Sequence, residues 1–431
     1  MNKTAVRGSV LTFTNDPFFN DPADSYQYLD DALVIMDGGR FESVAPYDPK
    51  AAEGLTVEHY REAIICPGFI DCHLHYPQTQ MIGAFGKQLI EWLNTYTFVA
   101  EQDFADLDHA RRVAKIFLAE LMRCGTTTAS VYSTVHPQSV EALFEASAEL
   151  NTRMLTGKVL MDRNAPDALL DTAESGYEDS RRLLEKWHLS GRQLYSITPR
   201  FAPTSTPAQL EAAARLWREH PGTYLQTHLS ENLGELAWVK ELFPDSNRYL
   251  EVYEQFGLFG PRSVFGHCIH LEEADFADFS RAGASMAHCP TSNLFLGSGF
   301  FKLFEAKKKG RPVKVGLGTD VGGGTSFSML QTLGEAYKSA QAGGTPLTAI
   351  EGFYLATRGG AEALDLADRI GSIEAGHEAD LIVLDLKSTP LMEFRMEFAR
   401  DLAEKLFVLM TIGDDRAIRA TYVAGRKVHA R

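Results

Sequence analysis

Histidine and acidic side chains stand at the ends of several short apolar runs. His73 and His75 form an H-x-H pair at the end of the run 63–75, and the others follow later runs: His228, His267 and Asp320. A two-residue spacing on a strand places both imidazoles of the pair on one face. Imidazoles together with a carboxylate suit Zn²⁺ or Fe²⁺ better than ions that prefer oxygen alone. The pattern therefore predicts a metal site.

A structural interpretation competes with this one, because the chain has 13 histidines and a single buried histidine is usually a hydrogen-bonded core residue. The coincidence of four strand ends favours metal binding. One ion is expected rather than two. A second metal in such a site usually requires a carboxylated lysine on the fourth strand, where this sequence has Arg200, while the nearby Lys158 belongs to the third.

Glu231 follows His228 by three residues in the segment HLSE. A carboxylate beside a metal-activated water is the usual general acid/base. The alternative is a solvated glutamate in the first turn of a helix, where it would interact favourably with the helix dipole. Asp320 is expected to serve both as a ligand and as a proton acceptor.

The elements that must position these side chains alternate between strands and helices. Eight β-branched-rich runs are separated by amphipathic stretches of helical length: 63–75, 125–133, 153–162, 194–203, 223–231, 263–270, 284–290 and 313–320. Eight such units over roughly 250 residues predict a (β/α)8 barrel, whose active sites lie at the carboxyl ends of the strands. Both chain ends have strand and turn signals. We therefore expect a barrel over 63–372 and a small β-domain made of 1–62 plus 373–431.

Composition excludes several classes of partner. The net charge is −15 with no long basic run, which argues against nucleic acid and anionic membranes. No stretch has the ~18 apolar residues of a membrane span, and the first residues lack the apolar core of a signal peptide. The five cysteines form no C-x-x-C pair, which is typical of a reduced, cytoplasmic protein.

The stretch 76–104 is too rich in Gly, Trp, Tyr and Phe for a simple connection, so we expect a lid or pocket wall. With this stretch the sequence resembles a known family. The segments HYPQTQMIGAFG, TPRFAPT, THLSEN, HCPTSNLFLGSG and TDVGGGTSFSML are similar to those of the guanine deaminases of the amidohydrolase superfamily, from about residue 63 to 335.

The resemblance implies a fold, an activity and a set of site residues. It implies one metal ion, Zn²⁺ or Fe²⁺, held by His73, His75, His228 and Asp320. It places these groups around a purine: Gln78, Arg200, Phe201, His228, Glu231, His267 and Asp320. It also implies a homodimer. The expected reaction is hydrolysis of guanine to xanthine and ammonia, with Glu231, His267 and Asp320 as the catalytic residues.

The chemistry of the residues agrees with this substrate. Arg200 has only donors, so it suits the O6 carbonyl of guanine rather than the amino group of adenine. Gln78 offers a donor and an acceptor, and Phe201 or Trp92 could stack on the ring. Without the resemblance, a salt bridge at the barrel rim for Arg200 and a core position for Phe201 would be the preferred interpretations.

Three alternatives to guanine deamination remain at this point. Another single-metal deaminase would act on cytosine or a pterin. A hydantoinase-like ring opener would require the missing strand-4 lysine, and a metal-free scaffold would have lost ligands that are present here. His136, His270 and His288 also lie near expected strand ends, and we expect them to be structural.

Overall fold

The computed structural model describes residues 3–86 and 88–431. Two residues of the predicted β-domain (1 and 2) and one of the predicted pocket wall (87) lie outside the described residues. The strands are β1 (Thr4–Phe13), β2 (Tyr26–Asp37), β3 (Arg40–Pro46), β4 (Val57–Pro67), β5 (Phe69–His75), β6 (Thr126–Tyr132), β7 (Arg153–Gly157), β8 (Val159–Leu160), β9 (Leu194–Pro199), β10 (Tyr224–Leu229), β11 (Ser263–His267), β12 (Ser285–His288), β13 (Lys314–Leu317), β14 (Leu381–Asp385), β15 (Ile418–Val423) and β16 (Arg426–Ala430).

The helices alternate with these strands along the chain. They are α1 (Pro22–Ser25), α2 (Leu89–Trp92), α3 (Phe98–Gln102), α4 (Leu107–Arg123), α5 (Pro137–Leu150), α6 (Ala173–Trp187), α7 (Pro207–Glu219), α8 (Leu233–Leu242), α9 (Tyr249–Phe256), α10 (Glu273–Ala282), α11 (Pro290–Phe295), α12 (Leu303–Ala306), α13 (Met329–Ala342), α14 (Ala349–Ala356), α15 (Arg358–Ala363), α16 (Pro390–Met396) and α17 (Leu402–Ile412). None of those described is long and apolar enough to cross a membrane.

The central sheet is a parallel, nearly closed barrel. Its strand order is β5-β6-β7-β9-β10-β11-β12-β13, and the short β8 continues the third strand beside β9. The first and last strands meet at the mouth. There the backbone N–H of Asp320 donates to His73 O at 2.9 Å, and that of His75 donates to Val321 O at 2.8 Å. The predicted barrel is confirmed.

Strands from both chain ends form a second sheet, in the order β16-β15-β14-β4-β1-β2-β3. The run 63–75, predicted as one strand, is divided between the two sheets at Gly68. This is a correction: β4 pairs with β1 and β14, whereas β5 pairs with β6. Gly68 packs so closely on Thr127 that an added Cβ would lie 2.2 Å from its Oγ1. The division into 1–62 plus 373–431 and 63–372 stays a prediction.

Outer helices such as α4 bury an apolar stripe. In α4 the stripe includes Ala110, Val113 and Phe117, and the helix is capped by the Asp106 side chain, which accepts from the N–H of Asp108 and of His109. Gly125, at φ +81°, turns the chain directly into β6. All five cysteines are buried and unpaired.

A buried ionic network joins the floor of the barrel to the terminal sheet. Arg153 begins β7 and Arg192 precedes β9, while Glu378 and Asp380 precede β14. Arg153 Nε and Arg192 Nε each donate to Glu378 Oε2 at 2.9 Å, and Arg192 Nη1 donates to Asp380 Oδ1 at 3.0 Å. We call these four residues the floor cluster.

Candidate active site

Six ionisable side chains converge at the mouth of the barrel, and we call them the mouth cluster: His73, His75, His228, Glu231, His267 and Asp320. The Nε2 atoms of His73 and His75 each lie 3.4 Å from Asp320 Oδ1. His75 Nε2 is 3.2 Å from His228 Nε2. All six side chains are buried.

The nitrogens of this cluster fit a metal ion. His228 Nδ1 lies 2.7 Å from the backbone carbonyl of Arg200, which can only accept, so Nδ1 carries the proton and Nε2 is free to ligate. Among the described residues, His73 Nε2 and His267 Nε2 have no hydrogen-bond partner. Burial and the neighbouring histidines hold the pKa of His75 and of His228 well below the ordinary value, which keeps both neutral. Unprotonated imidazoles beside a carboxylate are a ligand set for a transition metal.

Backbone conformation aims two of these side chains into the mouth. His267 ends β11 with φ +68°, and Asp320 follows β13 with φ +49°, a region that non-glycine residues rarely occupy. His267 Nδ1 lies 2.9 Å from Asn293 Oδ1, which fixes the plane of the ring. Such strained positions concentrate at functional sites.

Close packing holds the His73 ring in place. Gly266 of β11, across the barrel from β5, lies against the ring, and an added Cβ there would lie 2.5 Å from His73 Cε1. On the other side, the ring of Tyr132 lies 4.8 Å from His73 and 4.5 Å from His75, between centroids.

Glu231 lies beside His267 in the cluster. Its Oε2 is 3.4 Å from His267 Nε2, and its Oε1 accepts from Ser298 Oγ at 3.4 Å. Burial raises the pKa of Glu231 to about 7, and the nearby charge of Asp320 adds to the shift. A carboxyl group with such a pKa can both accept and donate a proton near neutrality.

A cavity opens onto the cluster. Every residue predicted to contact substrate lines it: Gln78, Trp92, Arg200, Phe201, His228, Glu231, His267 and Asp320. Leu89, Leu93 and Leu296 complete an apolar wall. The predicted pocket wall at 76–104 supplies Gln78, Leu89, Trp92 and Leu93.

Behind the polar wall of the cavity, which Arg200 and Gln78 form, lies a residue that sequence reasoning missed. Arg200 Nη1 donates to both oxygens of Glu101, at 2.9 and 2.8 Å. Gln78 Nε2 donates to Glu101 Oε1 at 3.4 Å, and Gln78 Oε1 accepts from the N–H of Gly322 at 3.1 Å. Glu101 is in α3 and has no exposed surface. An acidic residue on an apolar stretch (FVAEQ) was the only available signal.

Other predicted residues lie outside the cavity. His288 stacks on Phe301 with centroids 4.6 Å apart, and burial lowers its pKa to about 3. His270 Nε2 lies 2.9 Å from Ser298 O, and the Lys158 ammonium donates to Asp171. His136 begins α5. Asn293, beside His267, was also missed, because a contact between α11 and the end of β11 leaves no local sequence pattern.

A family model places the chain in a known class. The amidohydrolase family model matches residues 64–428, which include the barrel and most of the later strands. The chain therefore belongs to the amidohydrolase family.

Individual relatives are more specific. The chain is 51% identical over 433 residues to guanine deaminase of Escherichia coli (strain K12), covering 99% of this chain and 98% of the relative. The solved structure of E. coli guanine deaminase superposes with a TM-score of 0.96, covering 99% and 100% of the two chains. Guanine deaminase from C. acetobutylicum with bound guanine in its active site has 30% identity and a TM-score of 0.88, covering 99% and 100%. These findings confirm the resemblance predicted from the sequence.

Proposed function

We propose that this chain hydrolyses guanine to xanthine and ammonia. One observation carries the proposal. A single buried cavity brings together a ligand set of the kind that binds metals and a carboxyl group suited to proton transfer. It also has a wall of hydrogen-bond donors from Arg200 and Gln78, which we call the donor wall and which suits a carbonyl oxygen. The identity of 51% over almost the whole length to a guanine deaminase supports the same substrate.

The cavity wall matches the groups of guanine. Arg200 donates to O6 through guanidinium nitrogens that Glu101 does not occupy, and Gln78 contacts the adjacent edge of the ring. Phe201 and Trp92 cover the ring faces, since both line the cavity and Trp92 is held by a hydrogen bond from Nε1 to Ala84 O at 3.3 Å.

The residues of the mouth cluster then transfer protons. Water adds its oxygen to C2 of guanine, and the bond from C2 to the amino nitrogen breaks. Glu231 accepts a proton from the water and donates it to ring N3, which makes C2 more electrophilic. His267 orients the attacking water, and Asp320 passes a second proton to the departing amino group, which leaves as ammonia.

We propose one Zn²⁺ per chain, held by His73, His75, His228 and Asp320, with Fe²⁺ as the alternative. When bound, the ion would lower the pKa of a coordinated water toward ~7. The donor set of three imidazoles and one carboxylate supports this choice, and the arginine at position 200 supports a single ion. The expected measurement is a metal content close to one ion per chain.

The function is tested by adding guanine to the purified protein and following ammonia release together with the change in purine absorbance. We expect xanthine as the product and much weaker turnover of adenine, cytosine and pterin. Faster turnover of a pterin or of cytosine than of guanine would instead favour the related single-metal deaminases.

We further propose a homodimer that acts in the cytoplasm in guanine catabolism. Four apolar side chains of the segment from α16 to α17 are exposed: Leu391, Phe394, Phe398 and Ile412. The rings of Phe394 and Phe398 contact each other, with centroids 5.2 Å apart, and exposed apolar patches mark protein contacts. The unpaired cysteines suit a reducing compartment. Light scattering of the parent and of Phe394→Ser/Phe398→Ser tests the assembly, and an unchanged dimer in the variant would place the interface elsewhere.

A further inference from the structure

Glu101 contacts both polar groups of the donor wall from a fully buried position. Its two carboxylate oxygens accept from a single nitrogen of Arg200, and Oε1 also accepts from Gln78. Among the described residues, Arg200 Nε and Nη2 make no hydrogen bond, so these donors remain available at the cavity. The Arg200 guanidinium also lies over Phe98, with Cζ 5.4 Å from the ring centroid.

The pairing changes what kind of ligand Arg200 can accept. A guanidinium in a buried site without a counter-charge attracts an anion, because an unpaired buried charge is strongly unfavourable. With Glu101 in contact, the two charges balance, and the remaining donors of Arg200 suit the oxygen of an uncharged carbonyl group.

Substrate and product of the proposed reaction differ in acidity. Deamination replaces an amino group by an oxo group, which makes the neighbouring ring N–H groups more acidic. Xanthine is therefore more readily anionic than guanine. Resting on the proposed function, we infer that Glu101 is the residue that makes the cavity prefer an uncharged purine, and so prevents it from retaining the anionic product.

The test measures the binding of two purines that have no amino group to lose. Hypoxanthine is the uncharged probe, and xanthine is the probe that becomes anionic as the pH rises. Calorimetry on the metal-loaded, full-length protein gives both dissociation constants between about pH 6 and pH 8, below the range in which hypoxanthine ionises. Glu101→Gln should tighten the binding of xanthine relative to that of hypoxanthine by about tenfold or more. The difference between the two dissociation constants should widen as the pH rises.

Three variants serve as controls. Asp103→Asn removes the same charge two residues along the segment, where the side chain is exposed, and should behave as the parent. Glu101→Gln/Arg200→Met removes both charges and should lose the tightening. Glu101→Asp keeps the charge and should keep the parent ratio.

Equal ratios in the parent and in Glu101→Gln at every pH would overturn the inference. Should Glu101→Gln fail to fold, the other two variants decide. Tighter binding of xanthine relative to hypoxanthine in Glu101→Asp would overturn the inference. The parent ratio in Glu101→Asp, together with no tightening of xanthine binding in the double variant, would support it. Because neither probe is turned over, the result is separate from the proposed function, which fails if the parent releases no ammonia from guanine.

Discussion

The mouth cluster and the floor cluster lie at opposite ends of the same barrel, and both bury charged groups. At the floor, each of the four carboxylate oxygens of Glu378 and Asp380 accepts at least one hydrogen bond. At the mouth, His73 Nε2 and His267 Nε2 have no such partner among the described residues. A closed network stabilises the structure, whereas an open one is available to a ligand.

The pKa shifts differ in the same way. Burial alone would raise the pKa of Glu378, but the hydrogen bonds of Arg153 and the charges of both arginines hold it below the ordinary value. For Glu231 no arginine compensates, and burial raises the pKa to about 7. Paired arginines thus accompany the acid that joins the two sheets, whereas Glu231, without one, has the raised pKa suited to a group that transfers protons.

The largest expected effect is the loss of guanine turnover when the metal is removed from the mouth cluster. Exhaustive chelation should abolish guanine turnover and Zn²⁺ should restore it, while the circular dichroism spectrum stays native because the floor and core do not involve the ion. Turnover that survives complete chelation, or a content of two ions per chain, would contradict the single-metal site.

Glu231→Gln should lower kcat by about 10²- to 10⁴-fold, because it removes the proton carrier and keeps the shape. Metal content should be unchanged. Glu241→Gln, an exposed change on α8, is the matched control and should have the parent rate. A nearly unchanged kcat in Glu231→Gln would demote this residue to a helix-end charge.

Arg153→Met should show the opposite pattern at the floor. Removing one partner leaves Glu378 buried with less compensation, which costs about 3–5 kcal/mol of unfolding free energy. Per folded molecule, kcat should stay at the parent value. Urea titration and activity measured side by side test this, with the exposed Arg182→Met as control. A loss of kcat at full stability would mean that the two ends of the barrel are coupled.

Arg200→Met tests the donor wall and should combine the two patterns. We expect a loss of about 2–4 kcal/mol in kcat/KM for guanine, the range for truncating one partner of a charged hydrogen bond. Unlike Glu231→Gln, it should also lower stability, because Glu101 stays buried without its partner. Guanine turnover equal to that of the parent would show that Arg200 does not contact the purine.

The sequence was informative wherever function or fold leaves a local pattern. Alternating runs predicted the barrel, and ligand-type residues at strand ends predicted the mouth cluster, because strand ends of a barrel converge regardless of sequence distance. The substrate residues depended on the resemblance. Phe201, for example, has nothing in its neighbourhood that separates a pocket aromatic from a core aromatic.

What could not be predicted depends on contacts between distant segments. Glu101 meets Arg200 across 99 residues, and Arg153 meets Glu378 across 225. Neither pair has a periodic or motif signal. The break at Gly68 left a local signal, the turn-type pair Pro67-Gly68. Which sheet each half of the run joins depends on pairing with distant strands, and that has no local signal.

The smallest expected effect is the acid response of the floor cluster. Because the pKa of Glu378 is lower in the folded than in the unfolded protein, its stabilising contribution is complete above the unfolded value of about 4.3 and is lost as the pH falls through the folded value. Glu378→Gln has no such titration, so its unfolding free energy should fall less steeply on acidification below about pH 5 than that of the parent.

The comparison uses the slopes of stability against pH, since the substitution also lowers stability at neutral pH. Exposed Glu241→Gln should have the parent slope. Identical slopes in parent and Glu378→Gln would show that the Glu378 carboxylate keeps an ordinary pKa. The contrast with the mouth cluster would then rest on hydrogen bonding alone.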